Sequence, residues 1–588
     1  MADVKLASSL IRMRQRRTGP LILELDLTDG ITEGPPADPL SALLTMRRTR
    51  LQDVLDGLRR AAVDDRVRVL VVKVGGSRIG LAMVQELRAA ISDFRRSGKV
   101  TVAWAESFGE FVHGNVPYYL ATGFDRIYLQ PSGTLGLTGV AVEQVFLHGA
   151  LEKLGIDFET AKRHEYKSAP DQLTESGFTG PAREAAARLA ESVTEQLAGA
   201  IAAGRGLSVS KVAELLGRGP FLASQALAEG LVDGLMYRDE VYDQVRKEAG
   251  PDAALLYLQR YQRTQSIGDL PRRLGSSVHG LAPGQHDRFV ATIYAHGAIR
   301  SGRSGRGGPG GGGGMGSDTV AAALRAAATD EGARAVVLRV NSPGGSYTAS
   351  DVIWREVVRL RAAGKPVVVS MGDVAASGGY FISAPADVIV VQPGTITGSI
   401  GVFMGKPVLR ELFGRAGVTT DSITDGAGAA SATMFSSSRP FSETEWARIN
   451  EWLDAVYADF TEKVASGRRL PPERVHELAR GRVWTGADAI GNGLADEVGG
   501  LREAVAIARK RAGLPDDAPV RVYPRLGPLD QFRPAESSEA KPAARAQLGA
   551  GALAALFADG WGPAWRFAAA AGLPPYGPLT LPGRWKIS

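Results

Sequence analysis

The sequence predicts an α/β protein of two tandem domains built from repeated βαβ units, with a flexible extension at the C-terminus. Two observations predict the tandem domains: a long internal repeat, and an alternation of strand-like apolar runs with amphipathic helical stretches. A third observation, the low-complexity composition of residues 525–548, predicts the extension.

The internal repeat is the most informative of these signals. Four pairs of segments resemble one another, and the second member of each pair follows the first by 262 to 266 positions. So constant a spacing indicates that a whole domain was duplicated. The pairs are residues 70–74 with 336–340, 98–100 with 364–366, 118–139 with 380–401, and 230–233 with 493–496.

Strand and helix signals alternate within each half, and the second half illustrates the pattern. Ile353, Val357 and Leu360 recur at helical spacing, and Gly364 suits the end of that helix because glycine readily adopts a left-handed conformation. The β-branched runs resemble strands buried on both faces, and their alternation with helices implies parallel pairing. These runs are residues 336–340, 367–370 and 388–391.

The repeat and the composition together place the domain boundaries. The first domain takes residues 18–249 and supplies one half of the repeat, and the second takes residues 288–512. Residues 1–17 are an N-terminal arm, 250–287 a connector of mixed composition, and 513–588 a C-terminal extension that we expect to be partly disordered.

Composition excludes several classes of function. The chain has no cysteine, which excludes thiol catalysis, thiolate zinc sites and disulfides. A net charge of +6 spread over 588 residues is too dilute to indicate nucleic-acid binding. The glycine-rich stretch 301–317 lacks the Gly-Lys-Ser/Thr of a phosphate-binding loop, so we expect a flexible surface loop there. We expect no cofactor and no metal.

A turn of small residues marks a candidate nucleophile. Ser377 directly follows a predicted strand, where Ser-Gly-Gly can bend the chain sharply and expose a hydroxyl. The N–H of Gly378 is then free to face a developing oxyanion. Gly344 or Gly345, at the end of another strand, can supply a second N–H, since parallel strands end at the same sheet edge. The alternative interpretation is two ordinary tight turns.

A serine nucleophile needs a base, and no histidine closely follows Ser377. The duplication directs attention to Lys167 in the first half instead. By the repeat spacing, Ser377 corresponds to Asn115 and Lys167 corresponds to Ala430, so each half has lost the group that the other retains. Such complementary loss is expected if the two halves share one active site.

The segments around Lys167 and Ser377, with NSPGGS (341–346) and RVWTGADAIGNGLADEVG (482–499), resemble the signal peptide peptidase SppA family of the long, tandem-domain type. The similarity covers residues 20–512. It implies two tandem domains of the Clp-protease/crotonase-like fold. It also implies an assembly of several copies with the active sites inside, so we expect a homo-oligomer, with a tetramer favoured.

The resemblance also implies a role for each site residue. Ser377 is the nucleophile, Lys167 the general base, and Ser399 the serine that orients the lysine amine. Gly378, with Gly345 or Gly344, forms the oxyanion hole.

We therefore expect a serine endopeptidase that uses a Ser–Lys dyad to degrade short hydrophobic peptides such as cleaved signal peptides. Two alternatives remain open at this point. One is a crotonase-like enzyme acting on acyl thioesters, because that fold also uses paired backbone N–H groups as an oxyanion hole. The other is a non-enzymatic, membrane-associated scaffold.

Any contact with a membrane is expected to be peripheral. The apolar run near the N-terminus spans only a few residues before Arg12, so neither a signal peptide nor a spanning helix is predicted. The expected location is the cytoplasm or the surface of the cytoplasmic membrane. Trp561, Trp565 and Trp585 in segment 549–588 suit a membrane interface, although docking of this segment on its own oligomer is the alternative.

Overall fold

The two halves of the chain fold on the same plan in the computed structural model. The structure describes residues 16, 18–34, 49–75, 79–110, 112–261, 288–304, 314–426, 428–523, 579–580 and 586–587. Nearly all of the expected N-terminal arm, residues 305–313 of the glycine-rich loop, and Trp561, Trp565 and Trp585 lie outside the described residues.

Each half is built around six parallel strands, and the order across the sheet is the same in both. The predicted tandem α/β architecture is thereby confirmed. In the first half the order is Gly234–Leu235, Arg126–Leu129, Val100–Ala105, Val67–Lys73, Leu21–Asp26, Ala254–Tyr257. In the second half it is Glu497–Val498, Val388–Val391, Val367–Ala376, Ala333–Ser342, Phe289–His296, Val520–Val522.

Helices cover both faces of each sheet, which explains why the strands are apolar throughout rather than alternating. One face packs against Arg238–Ala249 in the first half and against Leu501–Arg511 in the second. The larger core lies on the opposite face. The other helices that the structure describes in full are Leu51–Val63, Leu81–Arg95, Asn115–Ala121, His148–Lys153, Asp171–Thr174, Gly180–Arg205, Val209–Arg218, Ala223–Ala228, Ser317–Thr329, Tyr347–Ala362, Gly378–Ser383, Arg410–Arg415, Ala429–Ala432, Glu443–Arg468, Pro472–Leu478 and Gly486–Asn492.

Short strands complete the two halves. Ile396–Gly398 pairs in parallel with the end of Val367–Ala376 and in antiparallel fashion with Val483–Thr485. The remaining groups are Ile31–Thr32 with Thr49–Arg50; Thr134–Leu135 with Phe221–Leu222; Met315–Gly316, Ile299–Arg300, Gly344–Gly345 and Leu579–Thr580 in one sheet; and Val142–Glu143 with Lys586–Ile587.

Side-chain contacts repeat along with the strands. The amine of Lys99 donates to two backbone carbonyls at the C-terminal end of helix Leu51–Val63, at 2.5 and 2.6 Å. The amine of Lys365 donates in the same way at the end of helix Ser317–Thr329, at 2.8 and 2.7 Å. The hydroxyls of Tyr118 and Tyr380 each donate to a backbone carbonyl more than a hundred positions later in the chain, at 2.6 and 2.9 Å. The duplication is therefore preserved in buried polar contacts as well as in sequence.

Both domains extend beyond the boundaries expected from the sequence. Strand Ala254–Tyr257 lies in the expected connector, yet it pairs with Leu21–Asp26 of the first sheet. Strand Val520–Val522 lies in the expected extension, yet it pairs with Phe289–His296. These edge strands are short, and their partners are hundreds of positions away, so local composition carries little signal for them.

Two of the features that join the halves are prominent. The first is an antiparallel ribbon in which Asp157–Lys162 of the first half pairs with Phe403–Val408 of the second. The second is a buried charge cluster: Arg339, 1% exposed, forms ion pairs with Glu33 and with Glu86, the latter at 2.5 Å. A substitution that removes one charge of this cluster would leave another buried and uncompensated, so we expect it to be strongly destabilising.

The same interface places a carboxyl group on the strand that ends just before Ser377. Asp373 accepts a hydrogen bond at 3.1 Å from the backbone N–H of Met83, in the first turn of helix Leu81–Arg95. Burial raises the pKa of Asp373 to about 6.

Among the helices that the structure describes, none has the length and apolar character needed to span a bilayer.

Candidate active site

Ser377 lies at the sharp bend between strand Val367–Ala376 and helix Gly378–Ser383. Its φ of 54° and ψ of −115° are unusual for a residue with a side chain, and such strain is typical of functional turns. Two backbone bonds hold the bend. The Ser377 N–H donates to the carbonyl of Gly398 at 2.8 Å, and its carbonyl accepts from the N–H of Phe381 at 2.8 Å.

Ser399 is brought beside Ser377 by strand pairing. Strand Ile396–Gly398 runs parallel to the end of the strand that carries Ser377, with Gly398 opposite Ala376. Each serine follows its paired residue by one position, so both emerge at the same edge. Ser399 also has a positive φ, 51°, and its N–H donates to the carbonyl of Arg482 at 2.7 Å.

Lys167 comes from the other half, in the loop that follows the ribbon strand Asp157–Lys162. Two backbone hydrogen bonds, among other contacts, tie the loop to the second half. The N–H of Arg163 donates to the carbonyl of Val402 at 2.9 Å, and the N–H of Tyr166 donates to the carbonyl of Arg480 at 3.2 Å. The ribbon and these two bonds therefore carry Lys167 across the domain interface to the two serines.

Gly481 is a site residue that sequence reasoning missed. The backbone of Lys167 packs directly on it, and a Cβ at this position would lie 2.4 Å from the Lys167 nitrogen. Its φ of 86° also favours glycine. The available signal was its position immediately before the motif at 482–499, but only the tertiary contact explains why the residue is glycine.

The three side chains meet in a fully buried cluster. The amine Nζ of Lys167 lies 3.0 Å from Ser377 Oγ, 3.1 Å from Ser399 Oγ and 3.2 Å from the Ser399 carbonyl oxygen. All three residues are 0% exposed. Burial alone lowers the pKa of Lys167 from near 10.5 to about 7, because the charged ammonium loses its hydration. A large fraction of the amine is therefore neutral at neutral pH and able to accept a proton.

Histidine takes no part in this cluster. In the described part of the chain, no histidine is within hydrogen-bonding distance of the Ser377 hydroxyl. His164, three positions before Lys167, packs its ring on Tyr457 and His476, with centroids 4.5 and 5.0 Å apart.

The three glycines named from the sequence lie together, but they are not equivalent. The N–H of Gly344 is engaged, since it donates to Ser342 Oγ at 3.2 Å. The nitrogen of Gly345 faces Gly378, and a Cβ on Gly378 would lie only 3.1 Å from it. The geometry therefore favours Gly345 over Gly344 as the partner of Gly378, a choice that the sequence left open.

Comparisons with known proteins identify the family to which the chain is similar. Peptidase family S49 matches residues 93–252 and 359–515, one region in each half. Protease 4 of Salmonella typhi is 32% identical over 80% of this chain and 73% of its own length. The chloroplastic serine protease SPPA of Arabidopsis thaliana is 29% identical over 79% of this chain and 66% of its own length.

Among solved structures, a point mutant of ClpP1 from Listeria monocytogenes aligns with 36% of this chain and 94% of its own length, at 14% identity and a TM-score of 0.24. The family match and the Protease 4 similarity both extend across the two halves that supply Lys167 and Ser377. The chain therefore belongs to peptidase family S49 and is a serine peptidase.

Proposed function

We propose that this chain hydrolyses short hydrophobic peptides, such as cleaved signal peptides, with Ser377 as nucleophile and Lys167 as general base. The observation that carries this proposal is the buried Nζ of Lys167, 3.0 Å from Ser377 Oγ, with a pKa lowered to about 7. A lysine of ordinary pKa is protonated at neutral pH and accepts no proton.

The proposed reaction follows from the position of the Lys167 amine beside Ser377 and Ser399. Neutral Lys167 takes the proton of Ser377 as the serine oxygen attacks the peptide carbonyl carbon, and the resulting ammonium then protonates the leaving amine as the peptide bond breaks. A water molecule, deprotonated by the same amine, hydrolyses the acyl-enzyme. Ser399 keeps the amine directed at Ser377, since its oxygens lie 3.1 and 3.2 Å away. The N–H groups of Gly378 and Gly345 hold the oxyanion.

An apolar environment supports hydrophobic peptides as the substrate class. Strands that carry the two serines contribute Ala376 and Ile396 to a small buried cluster with Leu189 and Val483. The same desolvation that lowers the lysine pKa favours substrates that lose little hydration on binding.

A fluorophosphonate that reacts with activated serines tests the proposal directly. We expect mass spectrometry to find the adduct on Ser377, and the labelling rate to rise with pH through about 7 as Lys167 deprotonates. Hydrolysis of a fluorogenic hydrophobic peptide should follow the same pH profile. A labelling rate that is flat from pH 5 to 9, or an adduct on another serine, would contradict the dyad. Saturable binding of coenzyme A esters, without peptide hydrolysis, would favour the acyl-thioester alternative.

Replacing Ser399 by alanine should lower kcat by about 10- to 100-fold and leave KM nearly unchanged. The variant loses a hydrogen bond to a group that carries charge during the reaction, a contribution of about 1.5–3 kcal/mol. Ser399→Thr keeps a hydroxyl and should retain more activity than Ser399→Ala. Equal kcat for Ser399→Ala and the unchanged chain would remove Ser399 from the mechanism.

We further infer a homo-oligomer, with a tetramer favoured, located in the cytoplasm or at the surface of the cytoplasmic membrane. Helices His148–Lys153 and Arg410–Arg415 contribute no buried residue, and Ile423 and Phe435, later in the chain, are 100% and 64% exposed. Such exposed apolar side chains suit contacts between copies. Light scattering that returned the mass of a single chain would contradict the oligomer.

A further inference from the structure

The strand that leads to Ser377 carries a bulge just before the nucleophile. Residues 372–374 lie opposite the single residue Asn341 of the neighbouring strand Ala333–Ser342. Bulges of this kind bend a strand and re-aim its side chains, and they are frequent beside active sites. The direction in which Ser377 leaves the sheet therefore depends on the contacts that hold this bulge.

Pairing within the sheet holds the bulge only in part, because the strand changes its partner there. Residues 368–370 pair with strand Val388–Val391, whereas residues 374–376 pair with strand Ile396–Gly398. Asp373 lies between these two pairings, and its side chain reaches the first half of the chain.

Contacts with the first half hold the bulge at Asp373 and at Val374. The carboxylate of Asp373 accepts a hydrogen bond from the backbone N–H of Met83 at 3.1 Å. The N–H of Val374 donates to the side-chain oxygen of Asn341 at 3.2 Å. The amide nitrogen of Asn341 in turn donates to the carboxylate of Glu33, in the first half, at 3.0 Å. Docking of the first half thus fixes the bulge as well as delivering Lys167.

Helix Leu81–Arg95 of the first half takes its N-terminal cap from the second half. Its own N-cap residue is Gly80, which has no side chain for capping, and its first turn carries no acidic residue. A Cβ at Gly80 would overlap the carboxyl group of Asp373. Because the free N–H groups and the dipole of a helix N-terminus both favour a carboxylate, the contact stabilises the docked arrangement.

We propose that Asp373 is a positioning residue for the peptidase reaction. By capping the helix of the first half it holds the bulge, and so it sets the position of Ser377 relative to Lys167. The inference rests on the proposed function, because it assigns a role in the alignment of the proposed dyad. A misalignment of about 1 Å at a reacting group can lower a rate by about 100-fold.

Asp373→Ala tests the inference at pH 8, where the carboxyl group of Asp373, with its pKa of about 6, is ionised. We expect kcat for a fluorogenic hydrophobic peptide to fall by about 10- to 100-fold with KM nearly unchanged, since the nucleophile is displaced while the peptide still binds. Asp373→Asn keeps an oxygen that can accept from the N–H of Met83, and it should retain more activity than Asp373→Ala.

Asp387→Ala is the matched control within the second half. Asp387 accepts a hydrogen bond at 2.8 Å from the N–H of Val367, at the other end of the strand that leads to Ser377. Its loss removes a contact to the same strand without touching the bulge, so Asp387→Ala should be less stable to denaturant and keep the kcat of the unchanged chain.

Gly80→Ala reaches the same contact from the first half, and it tests the inference even if Asp373→Ala fails to fold. The added methyl group displaces the carboxyl group, so kcat should fall as in Asp373→Ala. Gly199→Ala, at a helical glycine with nothing within 4 Å of its Cβ position, should keep kcat. In the double variant the methyl group has room, so kcat should be no lower than in Asp373→Ala alone.

The outcomes separate the inference from the proposed function. Equal kcat in Asp373→Ala and the unchanged chain, an equal fall of kcat in Asp387→Ala, or fully additive effects of Gly80→Ala and Asp373→Ala would overturn the inference while leaving the peptidase function intact. Absence of peptide hydrolysis by the unchanged chain would instead contradict the proposed function.

Discussion

Replacing Lys167 by methionine should lower kcat/KM for peptide hydrolysis by at least about 10³-fold. The same variant should be more stable to unfolding than the unchanged chain at pH 6.5. Activity falls because no other group within hydrogen-bonding distance of Ser377 Oγ in the described chain can accept its proton. Lys167→Arg should be equally inactive, since a guanidinium stays protonated at any working pH.

The stability gain follows from the lowered pKa of Lys167. The unfolded chain holds this proton up to about pH 10.5, and the folded chain loses it near pH 7, so the unfolded state binds more protons between these values. The amine therefore destabilises the fold progressively as pH falls from 10.5 to 7, and the penalty is full below pH 7. Methionine carries no such penalty. The gain in unfolding free energy should be larger at pH 6.5 than at pH 9.5, by about 3 kcal/mol at 1.36 kcal/mol per pKa unit.

Lys406→Met is the matched control for this experiment. Lys406 is also buried, at 2% exposed, but its amine donates to the carbonyls of Met434 and Ser436 at 2.8 and 2.9 Å, away from the serines. The control should keep most of its activity and be less stable, because two carbonyls lose their donor. Denaturant unfolding and peptide hydrolysis at both pH values measure the effects. An active Lys167→Met chain would exclude lysine as the base.

The second-half domain alone, residues 288–588, should show neither peptide hydrolysis nor fluorophosphonate labelling. This fragment retains Ser377 and Ser399 but lacks the Lys167 amine that lies 3.0 Å from Ser377 in the whole chain. It also leaves Arg339 without the two carboxylates, Glu33 and Glu86, that pair with it. We expect circular dichroism to show retained β-structure, and co-expression with residues 1–287 to restore activity.

Two full-length chains show whether the pair forms within one chain or between copies. A Lys167→Ala chain mixed with a Ser377→Ala chain should remain inactive after subunit exchange, because the ribbon brings Lys167 to Ser377 of its own chain. As a positive control, a chain cut by a protease site inserted in the connector should keep its activity. Recovery of activity in the mixture would place the dyad between copies. Serine-dependent hydrolysis by residues 288–588 alone would refute the shared site.

The parts of the fold that local pattern encodes were predictable. The β-branched runs at 336–340, 367–370 and 388–391 are strands, and the helix signalled by Ile353 and Leu360 spans Tyr347–Ala362. The apolar residues of these elements mark the faces that are buried. The internal repeat shows the same order of elements in both halves. The resemblance of motifs then pointed to Ser377 and Lys167, which the structure brings within 3.0 Å.

Features that depend on distant pairing were not predictable. The ribbon joins segments with no periodicity that distinguishes them from surface loops, and it is what carries Lys167 across the interface. The preference for Gly345 over Gly344 depends on the hydrogen bond from Gly344 to Ser342 Oγ and on the approach of the Gly345 nitrogen to Gly378. The contact of Gly481 with the Lys167 backbone is likewise visible only once both halves are in place.

Because Lys167 and Ser377 lie in different domains, we expect the chain to become active only after both domains have been synthesised. Domains emerge from the ribosome in order, and a nascent first half presents Lys167 before Ser377 has been translated. Until the second half buries it, this lysine is hydrated and keeps an ordinary pKa near 10.5, so it cannot accept a proton at neutral pH. Ser377, synthesised 210 positions later, has no activating partner until the ribbon forms. We therefore expect an unfinished or half-folded chain to be proteolytically silent without an inhibitory pro-segment, because the proposed general base acquires its lowered pKa only when the two halves dock.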